Sequence, residues 1–203
     1  MQMCQSSTVA DQEIRLPTWE APEAALLDTA SGIIAAQGTA ALTIAALSRE
    51  AGVSRPTIYR RWGSADEIVR AALLRRTVGV IARLDPIAAT RAEIVADVLR
   101  FSELFRADTV FARLLQREPE AFTQYSMERL GSSQRIILHW LAVAIRTAQD
   151  HGTVRQGAPD DLAVMVLLIA QSALLSHRAV AAFLDGERER NELSHALNGY
   201  LAP

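Results

Sequence analysis

Lysine is missing altogether: every one of the 21 basic residues in this 203-residue chain is arginine. Usage that uniform fits a GC-rich coding sequence more readily than a demand at one site, although guanidinium groups do suit guanine and phosphate. Cysteine is almost as scarce. The single Cys4 lies in a Ser-, Gln- and Thr-rich leading segment, so no disulfide framework or thiolate cluster can form. The histidines, His139, His151, His177 and His195, show no i,i+4 pair and no HExxH pattern, which removes the usual spacing of a metal site. There is no GxSxG, no glycine-rich phosphate loop and no cysteine placed as a nucleophile. Carboxylates are frequent, but they gather at the starts of predicted helices, where the helix dipole accounts for them. No catalytic residue, metal ligand or cofactor is therefore assigned, and an enzyme is a poor reading. Residues 1–20 have neither a basic start nor an apolar core, so they are not a secretory leader, and a cytoplasmic protein is expected.

What is present is helical. Half of the residues are hydrophobic and only 5% are aromatic, with no convincing β alternation and no internal repeat. The expected fold class is all-α. Pro22 suits the first turn of a helix running to Gln37, with Gly38 as its stop. Leu26, Leu27, Ala30, Ile34 and Gln37 trace its packing stripe. Ser64 and Glu67 make a capping box that opens a helix ended by Pro86. Further helical segments are predicted over 91–107, 109–117, 119–150, 159–185 and 187–201. Pro119 opens the third of these and Gly152 closes it, with Gly131 kinking or splitting it. Pro159 with Asp160 and Asp161 opens the fourth, and Gly186 is expected to close it.

Charge is unevenly spread along this frame. Residues 1–42 hold one Arg and five acids, residues 43–84 hold eight Arg and three acids, and residues 85–203 hold twelve Arg and fifteen acids. The basic middle segment contains TIAALSREAGVSRPTIYRRWG, residues 43–63, which reads as a helix-turn-helix. Gly52 supplies a residue free to take positive φ at the turn. Ala46, Leu47, Ala51, Val53 and Ile58 are spaced to share one core, and Ser48 is small enough for a close crossing. The outer face of the second helix then carries Arg55, Thr57, Tyr59, Arg60 and Arg61. Guanidinium, hydroxyl and phenol groups on one helix face are what a major groove and its phosphates accept. A merely solvated basic face is the blander alternative, and it does not explain why charge, turn and face coincide.

SRPTIYRRWG followed by SADEIVRAAL, residues 54–73, resembles the DNA-binding domain of the TetR (tetracycline repressor) family. The apolar helix is Leu42 to Ala51, the turn Gly52, the late tyrosine Tyr59 and the following aromatic Trp62. The detailed likeness covers Pro22 to roughly Leu84. Residues 1–20, rich in Ser, Gln and Thr, read as a disordered arm, and the resemblance implies a DNA-binding domain over 21–84 with a linking helix over 65–84 and a helical ligand-binding and dimerisation domain over 85–203. It implies double-stranded operator DNA as partner, contacted by Thr43, Ser54, Arg55, Pro56, Thr57, Tyr59, Arg60 and Arg61. Thr43, Tyr59 and Arg61 are assigned to phosphates, Arg55 and Thr57 to base edges, and Pro56 to a thymine methyl. Trp62 is expected to pack on the first helix and anchor the reading helix. Many relatives carry a Lys where this chain has Ala65, and Asp66 and Glu67 in the same turn weaken an anion site there.

The resemblance also implies a small-molecule effector bound in the body. Its candidate lining is Phe101, Phe105, Phe111, Phe122, Tyr125, His139, Trp140, Gln171 and His177, although each of these equally suits an ordinary core or interface position. Residues 162–175, LAVMVLLIAQSALL, are apolar on every side of a helix yet too short for a membrane span of roughly 20 residues. Such a helix needs cover all round. A twofold copy of itself, completed by Leu193, Leu197, Tyr200 and Leu201, gives a homodimer; a central helix in a monomeric core is the alternative. The remaining rival function is a helical interaction or small-molecule-binding protein that does not bind an operator.

Overall fold

The computed structural model describes residues 16–84, 88–120, 122–123 and 131–203. Cys4, Arg15, Pro86 and Tyr125 lie outside them, as does most of the stretch between Pro119 and Gly131. The described residues form nine α-helices and no strand, in keeping with the all-α expectation. They are α1 (Ala21–Gln37), α2 (Ile44–Ala51), α3 (Arg55–Tyr59), α4 (Ala65–Ile81), α5 (Arg91–Ala107), α6 (Thr109–Arg117), α7 (Ser132–Asp150), α8 (Pro159–Val180) and α9 (Gly186–Leu201). The chain divides into two compact units, one of Leu16–Arg83 with Glu103–Gln134 and one of Leu84–Ser102 with Arg135–Pro203. Helices α5 and α7 contribute to both.

In the first unit α1 packs against α2, α4 and α6. Leu26, Leu27, Ala30, Ile33 and Ile34 are buried, and α4 supplies Ile68, Val69, Ala72 and Leu73 to the same core. Each large aliphatic buried in this way stabilises the fold by about 1.5–3 kcal/mol. Gln37 lies outside the stripe and is exposed, its place in the core taken by Ile33 one turn earlier. Arg75 of α4 donates to both carboxylate oxygens of Asp28 on α1, at 3.0 and 2.9 Å. That bidentate bond holds the Asp28 carboxyl below its ordinary range. Asp108 caps α6 by accepting from the Val110 and Phe111 N–H groups, and it also pairs with Arg76 of α4.

The second unit is built around α7, whose Trp140, Leu141, Ala142, Ala144, Ile145 and Ala148 are buried, with Ile94, Val95 and Val98 of α5. Helices α8 and α9 pack on each other. The end of α9 is fastened by Arg155, whose N–H donates to Leu201 O at 3.0 Å and whose Nε donates to Tyr200 O at 2.9 Å.

Several boundaries differ from the sequence expectation; the linking helix α4, for one, ends at Ile81 and not at residue 84. The first helix of the helix-turn-helix starts at Ile44, not Leu42, because a 3-10 turn over Thr39–Ala41 and an extended Leu42 precede it. Helix α8 stops at Val180, short of residue 185. Gly186 does not close it but opens α9, since Asp185 accepts from the Arg188 N–H at 2.9 Å and so caps that helix. At 22 residues α8 as a whole is long and apolar enough to cross a membrane by length and composition, although its apolar stretch 162–175 by itself is too short.

That helix is also not covered all round. Leu162, Ala163, Val166 and Leu167 are buried, whereas Val164, Met165 and Leu168 are exposed. The i, i+3, i+4 spacing of each set separates a packed face from an open one.

Candidate nucleic-acid interface

Helix α2 is capped by Thr43, whose Oγ1 accepts from the Ala46 N–H at 3.0 Å. The cap uses the hydroxyl as an acceptor and leaves its proton available to an outside oxygen. The helix ends at Gly52, which takes φ +66° in the left-handed region, as the turn requires. Ser48 does more than leave space. Its Oγ donates to Val53 O at 2.6 Å, and its own carbonyl accepts from the Val53 N–H at 3.2 Å, so the turn is bonded from both sides.

Helix α3 is short, with Ser54 at its N-cap and Pro56 in its first turn. Its inner side chain, Ile58, is fully buried, and so is Leu47 opposite on α2. Ala46, Ala51 and Val53 are half-buried around them. Trp62 is 7% exposed, an anchor just past the helix. The chain around Arg60–Trp62 stays wound, with the Arg61 and Trp62 N–H groups both donating to Ile58 O at 2.9 and 3.1 Å.

Every other predicted DNA contact falls outside this core. Thr43, Ser54, Arg55, Pro56, Arg60 and Arg61 are exposed, and Thr57 is half-buried. Tyr59 is 56% exposed, which is unusual for an aromatic with no cover and places its phenol where a phosphate can accept from it. Ser54 Oγ and Thr57 Oγ1 lie 2.8 Å apart and share a hydrogen bond, so one of the two hydroxyls is already committed. Arg61 also has a partner inside the protein: its Nη1 donates to Glu23 Oε2 of α1 at 3.3 Å. Both side chains are about one-third exposed or less, so the pair is screened, and a phosphate competes with Glu23 for this guanidinium. No local pattern signals that pair, because 38 residues separate its members.

At the start of α4 the Ser64 Oγ accepts from the Glu67 N–H at 3.2 Å, and Glu67 Oε2 accepts from the Gly63 N–H at 2.7 Å. The Glu67 carboxylate thus occupies the Gly63 N–H and the Ser64 hydroxyl the Glu67 N–H, two amide hydrogens that a phosphate at this helix start would need.

The proposed effector lining is divided between the two units. Phe105 stacks on Phe111 with ring centres 3.7 Å apart and meets Phe122 edge-on at 5.9 Å, all three in the unit that carries the helix-turn-helix. Phe101, His139, Trp140, Gln171 and His177 belong to the other unit. Trp140 is buried, the others half-buried. Tyr125 is outside the described residues. His177 Nδ1 pairs with Glu189 of α9, so the polar group that stood out on an apolar helix has a structural partner there.

Residues 26–72 match the family described as bacterial regulatory proteins, tetR family. The chain is 36% identical over 176 residues to an uncharacterized HTH-type transcriptional regulator of Mycobacterium bovis, covering 87% of this chain and 92% of that one. A Mycobacterium tuberculosis protein with the same description matches to the same extent. Among solved structures, the R. erythropolis transcriptional repressor QsdR, from the TetR family, superposes with a TM-score of 0.66 at 22% identity, over 89% of this chain and 94% of that one. The SmeT–triclosan complex superposes with a TM-score of 0.58 at 19% identity, over 91% and 93%.

Proposed function

The chain belongs to the tetR family of bacterial regulatory proteins, and we propose that it is a homodimeric repressor that reads a palindromic operator and is released by a small apolar or amphipathic effector. The observation that carries the operator reading is α3: a short helix pinned by Ile58 and followed by the buried Trp62, with Arg55, Pro56, Tyr59 and Arg60 all turned to solvent. Arg55 and Thr57 address base edges and Pro56 a thymine methyl, while Thr43, Ser54, Tyr59, Arg60 and Arg61 hold phosphates and sugars. Base contacts supply sequence preference, and phosphate contacts supply register and most of the salt-dependent affinity.

Dimerisation is supported by the open face of α8. Val164, Met165 and Leu168 are exposed on one side of that helix, and Phe183 just beyond it is 78% exposed. A contiguous apolar strip of this kind marks an interaction surface. A second copy covers it with the same residues, and two reading helices then address half-sites about 34–36 Å apart. A membrane would also cover an apolar helix, but the family relationship and the acids Asp160 and Asp161 in its first turn favour the copy. The protein accordingly works in the cytoplasm, on DNA, and not as an enzyme.

The effector reading draws on the fold likeness to a structure solved with triclosan. Phe101, Phe105, Tyr125, His139, Trp140, Gln171 and His177 stay the candidates for it, with His177 the weakest because Glu189 already engages its ring. An effector that favours one head separation over another releases the operator by shifting that population.

The test is a gel shift with the DNA immediately upstream of the chain's own coding sequence, at two salt concentrations, with non-specific competitor. A specific shift that weakens steeply with salt is expected. Failure to bind any duplex, random sequence at low salt included, would overturn the operator reading in favour of an interaction protein.

A further inference from the structure

Glu118 stands at the C-terminal end of α6, 79 residues along the chain from Thr39, yet the two are joined twice. The Thr39 N–H donates to Glu118 Oε2 at 3.1 Å and the Thr39 hydroxyl donates to the same oxygen at 2.5 Å. Arg113 completes the cluster. Its Nε donates to Glu118 Oε1 at 3.4 Å, and its Nη1 donates to Ala36 O at 3.0 Å, a carbonyl left open where α1 ends. Gly38 lies between these groups at φ +98°, and a Cβ there would come within 2.3 Å of Glu118 Oε1. The carboxylate fills the space that any other residue at position 38 would need. Burial, the largest single influence, pushes the Glu118 carboxyl up, but the Thr39 and Arg113 bonds together outweigh it and hold it below the usual range.

The segment held in this way is the entry to the helix-turn-helix. Thr39 opens the 3-10 turn that leads directly to the Thr43 cap of α2. The other end of α6 is fixed independently, through Asp108 and its ion pair with Arg76 on α4. Helix α6 is therefore bolted at one end to α4 and at the other to the chain that enters the reading motif.

We propose that Glu118 is a positioning residue for operator recognition, which sets where α2 and α3 stand by holding Thr39 against the end of α6. The proposal rests on the operator reading above. It also predicts a sign that electrostatics alone does not. Removing an acid from a DNA-binding protein ordinarily tightens binding to the phosphates, whereas loss of this latch loosens the specific complex. A glutamine at 118 offers one acceptor oxygen in place of two, so it cannot serve Thr39 and Arg113 together.

The experiment compares the full chain with Glu118→Gln, Thr39→Val and the double variant. The DNA probe is the set of duplexes that the wild-type chain enriches from a randomised pool, and amide hydrogen exchange over residues 39–53 is followed in parallel. Each single variant is expected to bind the enriched duplexes about fivefold more weakly, with random-duplex binding unchanged, and the double variant to be no worse than the weaker single. Amides of Ala41–Leu47 should exchange faster in all three, with α4 unchanged. Unaltered or tighter binding by Glu118→Gln, or losses that add in the double variant, would overturn the latch. If the wild-type chain enriches no duplex, the operator reading falls, and the exchange decides the tie by itself: unchanged rates at Ala41–Leu47 refute it, and faster ones establish it.

Discussion

In the unit that carries the helix-turn-helix, Tyr59 is the only large apolar side chain among the described residues that is exposed. Its helices are cross-tied by the ion pairs of Asp28 with Arg75, Asp108 with Arg76 and Glu23 with Arg61, and Glu118 pairs with Arg113 at the end of α6. In the unit built on α7, α8 and α9 the exposed large side chains are Val164, Met165, Leu168 and Phe183. The first unit satisfies its own apolar surface and offers water a set of cations and hydroxyls. The second leaves apolar surface open. An outward face of guanidinium groups is suited to a polyanion, whereas an outward face of aliphatic groups gains only by being covered. On the function proposed above, the contrast separates the surface that reads from the surface that assembles.

The largest expected effect probes the self-sufficient unit. Ile58→Ala empties a fully buried position between α3 and α2 and should cost about 2–5 kcal/mol, seen as an early loss of helicity on heating. An unchanged melting curve would mean that α3 is not held by that core. Next comes the apolar face. Leu168→Glu leaves a single chain folded, because the side chain is half exposed there, but places a charge in the proposed twofold contact. Sedimentation should report a monomer with unchanged far-ultraviolet dichroism, and an intact dimer would show that another surface assembles the protein.

Smaller effects fall on the reading face. Arg55→Ala should lose about 1–3 kcal/mol of operator binding and relax base preference at one position. Tyr59→Phe should instead weaken all sequences alike, as a lost phosphate contact does. Competition binding against single-base operator variants separates the two. The smallest effect concerns Asp28, more than half exposed beside Arg75. Asp28→Asn should cost at most about 1 kcal/mol at neutral pH, since solvent screens the pair. The sign with pH follows from a carboxyl held below its ordinary range in the folded protein. Its stabilisation is complete above the ordinary Asp range and disappears as the pH falls through the lowered folded value, so the variant and the wild type should converge in acid. A difference that grows in acid would contradict the assignment.

Local sequence encodes what short-range chemistry can reach. The helices expected over 91–107 and 109–117 stand at those residues, and the Asp108 side chain caps the second by accepting from the Val110 and Phe111 N–H groups. The turn at Gly52 and the Ser64–Glu67 cap were legible too, since each involves residues within a few positions of one another. The end of α8 was not, because Ala181, Ala182 and Phe183 carry no stop signal and the break is set by the Asp185 cap of the next helix. Only the tertiary structure could decide that Arg61 meets Glu23, that His177 meets Glu189 and that Glu118 meets Thr39. It alone decided, too, which side of an evenly apolar α8 is packed and which is open. Periodicity fixes which residues share a face, but a pairing between distant side chains depends on how helices cross, and that is settled by packing over the whole unit.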